Sequence, residues 1–180
     1  MDGNIVLETP RLTLRPFRPE DLEPLWECRS DPETVRFEPY RPMTRREAEA
    51  ALDERLRGPE MLAVERREDG QLLGNVCLAR REFDARELGF LLHRRYWGRG
   101  YAREACEALV RRAFDEGAHR IYAECDPRNA ASWRLLERLG FRREAHLRGN
   151  LYFWRDENGA PLWKDTYVYG KLRTDEANRP

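Results

Sequence analysis

The stretch "RRYWGRGYAREAC", Arg94 to Cys106, sets two glycines among bulky aromatic and cationic residues and then enters a helical pattern. From Ala102 onward the apolar positions Ala105, Cys106, Leu109, Val110, Ala113 and Phe114 recur with the spacing of one helix face, and the stripe ends at Gly117. Just before it, "RELGFLLH" reads as a strand. A strand that passes through Gly98 and Gly100 into a helix at Tyr101 leaves unpaired backbone N–H groups at the positive end of a helix dipole. That arrangement binds phosphate, because glycine allows positive φ and keeps side chains away from the anion. Arg99 and Arg103 add charge. Glycine pairs before helices are also ordinary turns, so the motif alone leaves both readings open. Two other phosphate loops do not fit: GxxxxGK[ST] is absent, and "GRGYAR" at positions 98 to 103 lacks the third glycine of GxGxxG.

Working outward, "RLTLRPF" (Arg11 to Phe17) alternates like a first strand, and "PEDLEPLWECRSDP" opens a helix with acids after Pro19. A second helix runs from Thr44 to Arg57, with Thr44 and Glu47 spaced as a capping box and Gly58 as the stop. Between them "ETVRFEPYRPM" is irregular and aromatic, a candidate substrate lip. "MLAVERR", "EDGQ" and "LLGNVCLAR" read as a hairpin. "RIYAECD" is a strand, "NAASWRLLERLG" a short helix capped by Asn129, and the remainder strands with a turn at "DENGAP" and a frayed tail "RTDEANRP". The order predicts an α/β (α+β) domain with a mixed central sheet of about six to seven strands flanked by about four helices. With 180 residues and 41% hydrophobic content, one domain over residues 1–180 is expected, with an ordered core over about 9–172.

The 33 basic and 33 acidic residues balance, which argues against a nucleic-acid or anionic-membrane surface. Cys28, Cys77, Cys106 and Cys125 are scattered and form no CxxC pair, so they read as free thiols of a reducing compartment. His93, His119 and His146 lack metal-ligand spacing, and no metal is expected. "MDGNIVLETPRL" has no signal-peptide pattern and no window approaches a membrane span, so a cytoplasmic location is expected.

The segments "ETPRLTLRPF", "GFLLHRRYWGRGYAREAC", "AECDPRNAASWRLLERLGF" and "WKDTYVYGKL" together resemble the GNAT superfamily of acetyl-CoA-dependent N-acetyltransferases. They are most similar to its RimJ/RimL branch, whose members acetylate ribosomal-protein amino termini. The resemblance covers nearly the whole chain and implies a GNAT fold. The family's pyrophosphate loop, [QR]xxGx[GA], aligns here with Trp97 at the place before Gly98, Arg99, Gly100, Tyr101 and Ala102. By that resemblance, N–H groups from Gly98 to Arg103 hold the coenzyme A pyrophosphate. Phe90, Leu91 and Leu92 pair through their backbone with the pantetheine arm, and an N–H near Leu92 stabilises the oxyanion.

Asn129 joins the cofactor site by resemblance, although an ordinary N-cap explains it equally. Ser132 shares a stripe with Leu135, Leu136 and Leu139, so its hydroxyl is expected to face inward. A serine bonding the preceding turn is the bland reading; the family reading makes it the acid that protonates the leaving thiolate. Many relatives carry a tyrosine four residues on, where this chain has Leu136. A base must also deprotonate an ammonium. Glu87 is the candidate, against the plainer reading of a surface carboxylate, and "GNLYFW" departs from branch members that place a glutamate there. Phe37, Tyr40, Tyr152, Phe153, Trp154 and Trp163 are candidate walls of a substrate groove or of an interface, which leaves room for a homodimer. The implied reaction is direct transfer from acetyl-CoA to a primary amine, foremost a protein N-terminus. The alternatives are an aminoglycoside-like or polyamine acceptor, or a non-catalytic acyl-CoA-binding module.

Overall fold

The computed structural model describes residues 6–58 and 60–177. Along the chain run β1 (Leu7–Glu8), β2 (Leu12–Arg15), α1 (Leu22–Ser30), α2 (Arg45–Arg57), β3 (Met61–Arg66), β4 (Leu72–Arg80) and β5 (Ala85–Leu92). Then follow α3 (Tyr101–Asp115), β6 (Arg120–Cys125), α4 (Ala130–Arg138), β7 (Arg142–Leu151), β8 (Lys164–Leu172) and α5 (Arg173–Ala177). The strands form one sheet in the order β1-β2-β3-β4-β5-β6-β8-β7. All neighbours are antiparallel except β5 and β6, which are parallel because α3 crosses between them. The α/β expectation holds; eight strands stand where six or seven were expected, since Leu7–Glu8 adds a short edge strand.

Two cores flank the sheet. On one face α3 buries Ala105, Cys106, Leu109, Val110, Ala113 and Phe114, the stripe legible in the sequence, and α4 adds Leu135, Leu136 and Leu139. On the other, Phe17, Leu25 and Leu52 pack with Ala63 and Leu72 beneath α1 and α2. The capping box forms as its residues predict: Glu47 N–H donates to Thr44 Oγ1 at 3.3 Å, and Thr44 N–H to Glu47 Oε2 at 2.7 Å. Ahead of α1, Pro19–Asp21 make a 3-10 turn. Buried Arg15 clamps Asp21 with both terminal nitrogens at 2.7 and 2.8 Å and reaches Glu65 at 2.7 Å, which fixes that turn to β2 and β3.

Two expectations change. β7 ends at Leu151, so Tyr152, Phe153 and Trp154 lie in irregular chain and strand alternation does not constrain them. The tail expected to fray begins with α5, where Asp175 Oδ2 accepts the Leu172 N–H at 3.0 Å; residues 178–180 lie outside the described residues. Cys28 and Cys106 are buried, Cys77 and Cys125 half-buried, and all four are free thiols. Among the described residues no helix is long and apolar enough to cross a membrane.

Gly74 lies where the β3 and β4 registers shift, with φ +152. A Cβ there would sit 2.7 Å from Leu92 Cα and overlap the Leu91 carbonyl oxygen. Gly74→Ala should therefore lower unfolding stability by about 2 kcal/mol or more through overpacking. A urea midpoint equal to that of the parent would show that β4 and β5 part without cost.

Candidate active site

β5 and β6 hydrogen-bond only from Ala85↔Arg120 to Glu87↔Tyr122. β5 then continues to Leu92, held on its other edge by β4 through Gly74↔Leu92, while β6 stays paired with β8 along its whole length, Arg120 to Cys125. From Leu88 on, the β5 edge facing β6 is open, and its backbone groups need another partner. A cavity of about 1030 Å³ occupies the opening. Eleven of the residues predicted from sequence line it: Glu87, Phe90, Leu91, Leu92, Gly98, Gly100, Tyr101, Ala102, Arg103, Asn129 and Ser132. Arg99 is not among the lining residues, and its carbonyl accepts from Arg11 Nη1 at 2.9 Å.

The loop into α3 is built for close backbone approach. Gly98 and Gly100 have φ of 72 and 79, values that L side chains rarely adopt. Gly100 is the N-cap of α3, and no side chain caps it. The first-turn N–H groups thus point into the cavity at the positive end of the dipole. Trp97, half exposed, ties the loop back to the strand through Nε1 to the Leu92 carbonyl at 2.7 Å. From beneath, Glu104 accepts from Thr9 Oγ1, Arg11 N–H and Arg11 Nε at 2.6, 2.9 and 2.6 Å. Burial would raise the Glu104 carboxyl, but these hydrogen bonds outweigh it and hold it below its ordinary value. The charge of Arg11 thereby offsets the one carboxylate in the first turn of this helix.

The second helix N-terminus, that of α4, faces the first across the opening. Asn129 caps it, its Oδ1 accepting the Ser132 N–H at 3.2 Å. Ser132 is half-buried rather than fully inward, and it lines the cavity together with the half-buried Cys125. Burial pushes the Cys125 thiol up to about 11, with the nearby Ser132 hydroxyl acting in the opposite sense. Asp126 fixes the corner: its side chain is 6% exposed, accepts from Arg128 N–H and Nε at 2.9 Å each, and pairs with Lys164 Nζ at 3.2 Å.

Glu87 lies on a central strand, not an edge, and its Oε2 accepts from Arg81 at 2.9 and 2.6 Å and from Tyr122 at 3.3 Å. Beside it Glu124, which sequence reasoning missed, also lines the cavity. Desolvation first, and the neighbouring Glu87 charge second, raise the Glu124 carboxyl above its ordinary value. Alternation in "RIYAECD" put Tyr122 and Glu124 on the face opposite Ile121 and Ala123, a signal that was present and unused. Of the six aromatics, Phe37 and Phe153 line the cavity, and Lys164 Nζ stands 4.5 Å over Phe153. Tyr152 and Trp163 pack edge-on against each other, and Arg41 stacks on Trp154, linking the early loop to the late segment. Tyr40 is stacked by the Arg29 guanidinium at 4.8 Å.

The chain matches the family described as acetyltransferase (GNAT) domain over residues 11–142. It is 33% identical to the uncharacterized N-acetyltransferase YoaA of Bacillus subtilis, over 95% of this chain and 98% of that one. A GNAT-family acetyltransferase from Bacillus anthracis superposes with a TM-score of 0.86 at 26% identity, covering 94% of this chain and 99% of that one. The ribosomal-protein-S5-alanine acetyltransferase from Vibrio fischeri gives 0.78 at 25% identity, covering 96% and 98%.

Burial alone would raise Asp126, but the Arg128 hydrogen bonds and the Lys164 charge bring it from the ordinary 3.8 down to about 2. A depressed carboxyl stabilises the fold fully above its ordinary value, and that contribution is lost as pH falls through the window between 3.8 and about 2. Stability from urea unfolding should therefore fall more steeply across this window in the parent than in Asp126→Asn. Equal slopes would show that the carboxylate contributes nothing to holding the α4 corner.

Proposed function

Because the chain belongs to the GNAT acetyltransferase family and is an acetyl-CoA-dependent N-acetyltransferase, we propose that it acetylates a protein amino terminus at the opening between β5 and β6. The observation that carries this reading is the meeting, in one cavity, of an open strand edge, a loop with two positive-φ glycines and two helix N-termini. Bound acetyl-CoA supplies an acetyl group activated as a thioester. The N–H groups from Gly98 to Arg103 hold its pyrophosphate, and the open edge of Phe90, Leu91 and Leu92 accepts its pantetheine amides as a neighbouring strand would. Asn129 completes the site beside the α4 N-terminus.

The attacking amine must be neutral. Glu87 and Glu124 stand on the acceptor side of the sheet, one held by Arg81 and the other raised in pKa, and a water between them and the amine relays the ammonium proton to a carboxylate of this pair. A β5 backbone N–H stabilises the oxyanion. Ser132 delivers a proton to the departing sulfur, and no covalent acyl-enzyme forms. The protein acceptor is supported by the groove, open between the lip at residues 33–43 and the late aromatic segment, and by the kinship with an enzyme named for ribosomal protein S5.

The test is free-thiol release from acetyl-CoA across peptide N-termini, aminoglycosides and polyamines, with thermal shift by acetyl-CoA alongside. Peptides should be the best acceptors. Ser132→Ala should lower kcat by roughly a hundredfold or more, the usual contribution of a positioned acid, while the acetyl-CoA thermal shift persists. Full turnover in Ser132→Ala would move the acid elsewhere, and a panel in which only small amines react would overturn the protein acceptor.

A further inference from the structure

On the acceptor side of the sheet, α1 and β4 enclose a cation that the transfer chemistry leaves unused. Arg29 is 6% exposed and lines the cavity. Its Nη2 reaches Asn75 Oδ1 only at 3.5 Å, the outer limit of a hydrogen bond, and its buried Nε has no partner. The guanidinium lies over the Tyr40 ring at 4.8 Å. Stacking occupies the π face and leaves the N–H fork free in its own plane, the edge that takes a carboxylate in two parallel bonds.

Among the described residues no carboxylate pairs with it by contact. Arg55, 9% exposed, also has a buried Nε without a partner, and burial together with the Arg29 charge pulls it down to about 10. The Glu38 carboxyl feels the Arg29 charge but leaves Nε unbonded, and burial pushes Glu38 toward its neutral form. Arg29 thus feels a second cation, Arg55, and a Glu38 carboxyl that burial shifts toward its neutral form. A buried cation with an unmade hydrogen bond is costly to keep, and a ligand group that makes the bond gains accordingly.

Position ties this cation to the acceptor. Asn75 lies opposite Leu91, and Glu87 lies four residues back along the same strand, roughly 13 Å at the usual strand rise. The cleft therefore has a basic end at Arg29 and an acidic end at Glu87 and Glu124. We infer that Arg29 forms an anion subsite that binds a carboxylate carried by the acceptor amine, so that the enzyme selects acidic amines and rejects polycations. This rests on the N-acetyltransferase reading above and adds the chemical class of its acceptor. The carboxylate can be an acidic side chain close behind a peptide N-terminus or the α-carboxylate of a free amino acid.

The experiment compares matched acceptors by thiol release at saturating acetyl-CoA: peptides with Glu or Gln at the second position, and free amino acids against their amides. In the parent, the carboxylate member of one series should lead its amide by tenfold or more in kcat/KM, and the leading series identifies the source. Arg29→Gln should abolish that lead mainly through KM, slowing the carboxylate members tenfold or more and the amides by much less, and Arg29→Lys should restore part of it. Equal rates for both members in the parent overturn the subsite without any variant, as does a polyamine that outruns every acidic acceptor. If Arg29→Gln slows both members alike, Arg29 only supports the lip, and the subsite is likewise overturned. Thiol release with matched pairs but no carboxylate preference sinks this inference alone, whereas no release with any amine sinks the acetyltransferase reading and the inference with it.

Discussion

Beyond Glu87 and Tyr122, the two central parallel strands offer each other no hydrogen bonds, although each remains paired on its outer edge. A strand interior with bare N–H and C=O groups is tolerable only where water or a ligand can reach it. The separation requires rigid flanks, and these are the antiparallel neighbours β4 and β8. Gly74 matters for the same reason, because a side chain there would push into the backbone of Leu91 and Leu92, which forms one wall of the opening.

The opening also decides where charge is placed. α3 and α4 bring their N-termini to it from the two strands that part, and each is braced by a polar cluster: Thr9 and Arg11 on Glu104, and Arg128 and Lys164 on Asp126. Both braces pair a carboxylate near the helix start with a cation, so the unpaired N–H groups keep their positive potential. On the opposite face the same sheet carries the acidic pair Glu87 and Glu124 and the buried Arg29, so charge of both signs lines that side of the opening.

Most of this framework was legible in the sequence because it rests on local rules. The α3 stripe, the Thr44 capping box, the hairpin around "EDGQ" and the cap at Asn129 each follow from short-range spacing, and the strand, loop and helix at the glycines follow from one contiguous segment. What escaped depends on distant partners. The end of β7 at Leu151 falls where its partner Lys164 begins β8, after a register shift between Leu147 and Leu151. The engagement of Glu87 by Arg81 needs β5 folded against its own preceding turn. Arg29 looks like any polar helical residue until Tyr40 and Asn75 close around it. Ser132 was placed on the correct helix face but judged too deep, since periodicity gives direction and not depth.

Cys125 gives the opening a chemical property of another kind. A thiolate is a strong nucleophile, and Cys125 lines the cavity along with Ser132. With burial raising its pKa to about 11, only roughly one molecule in ten thousand carries the thiolate at pH 7. Burial thereby holds this thiol in its protonated, poorly nucleophilic form. The desolvation that packs β6 against α4 thus also lowers the reactivity of a cysteine that lines the cavity.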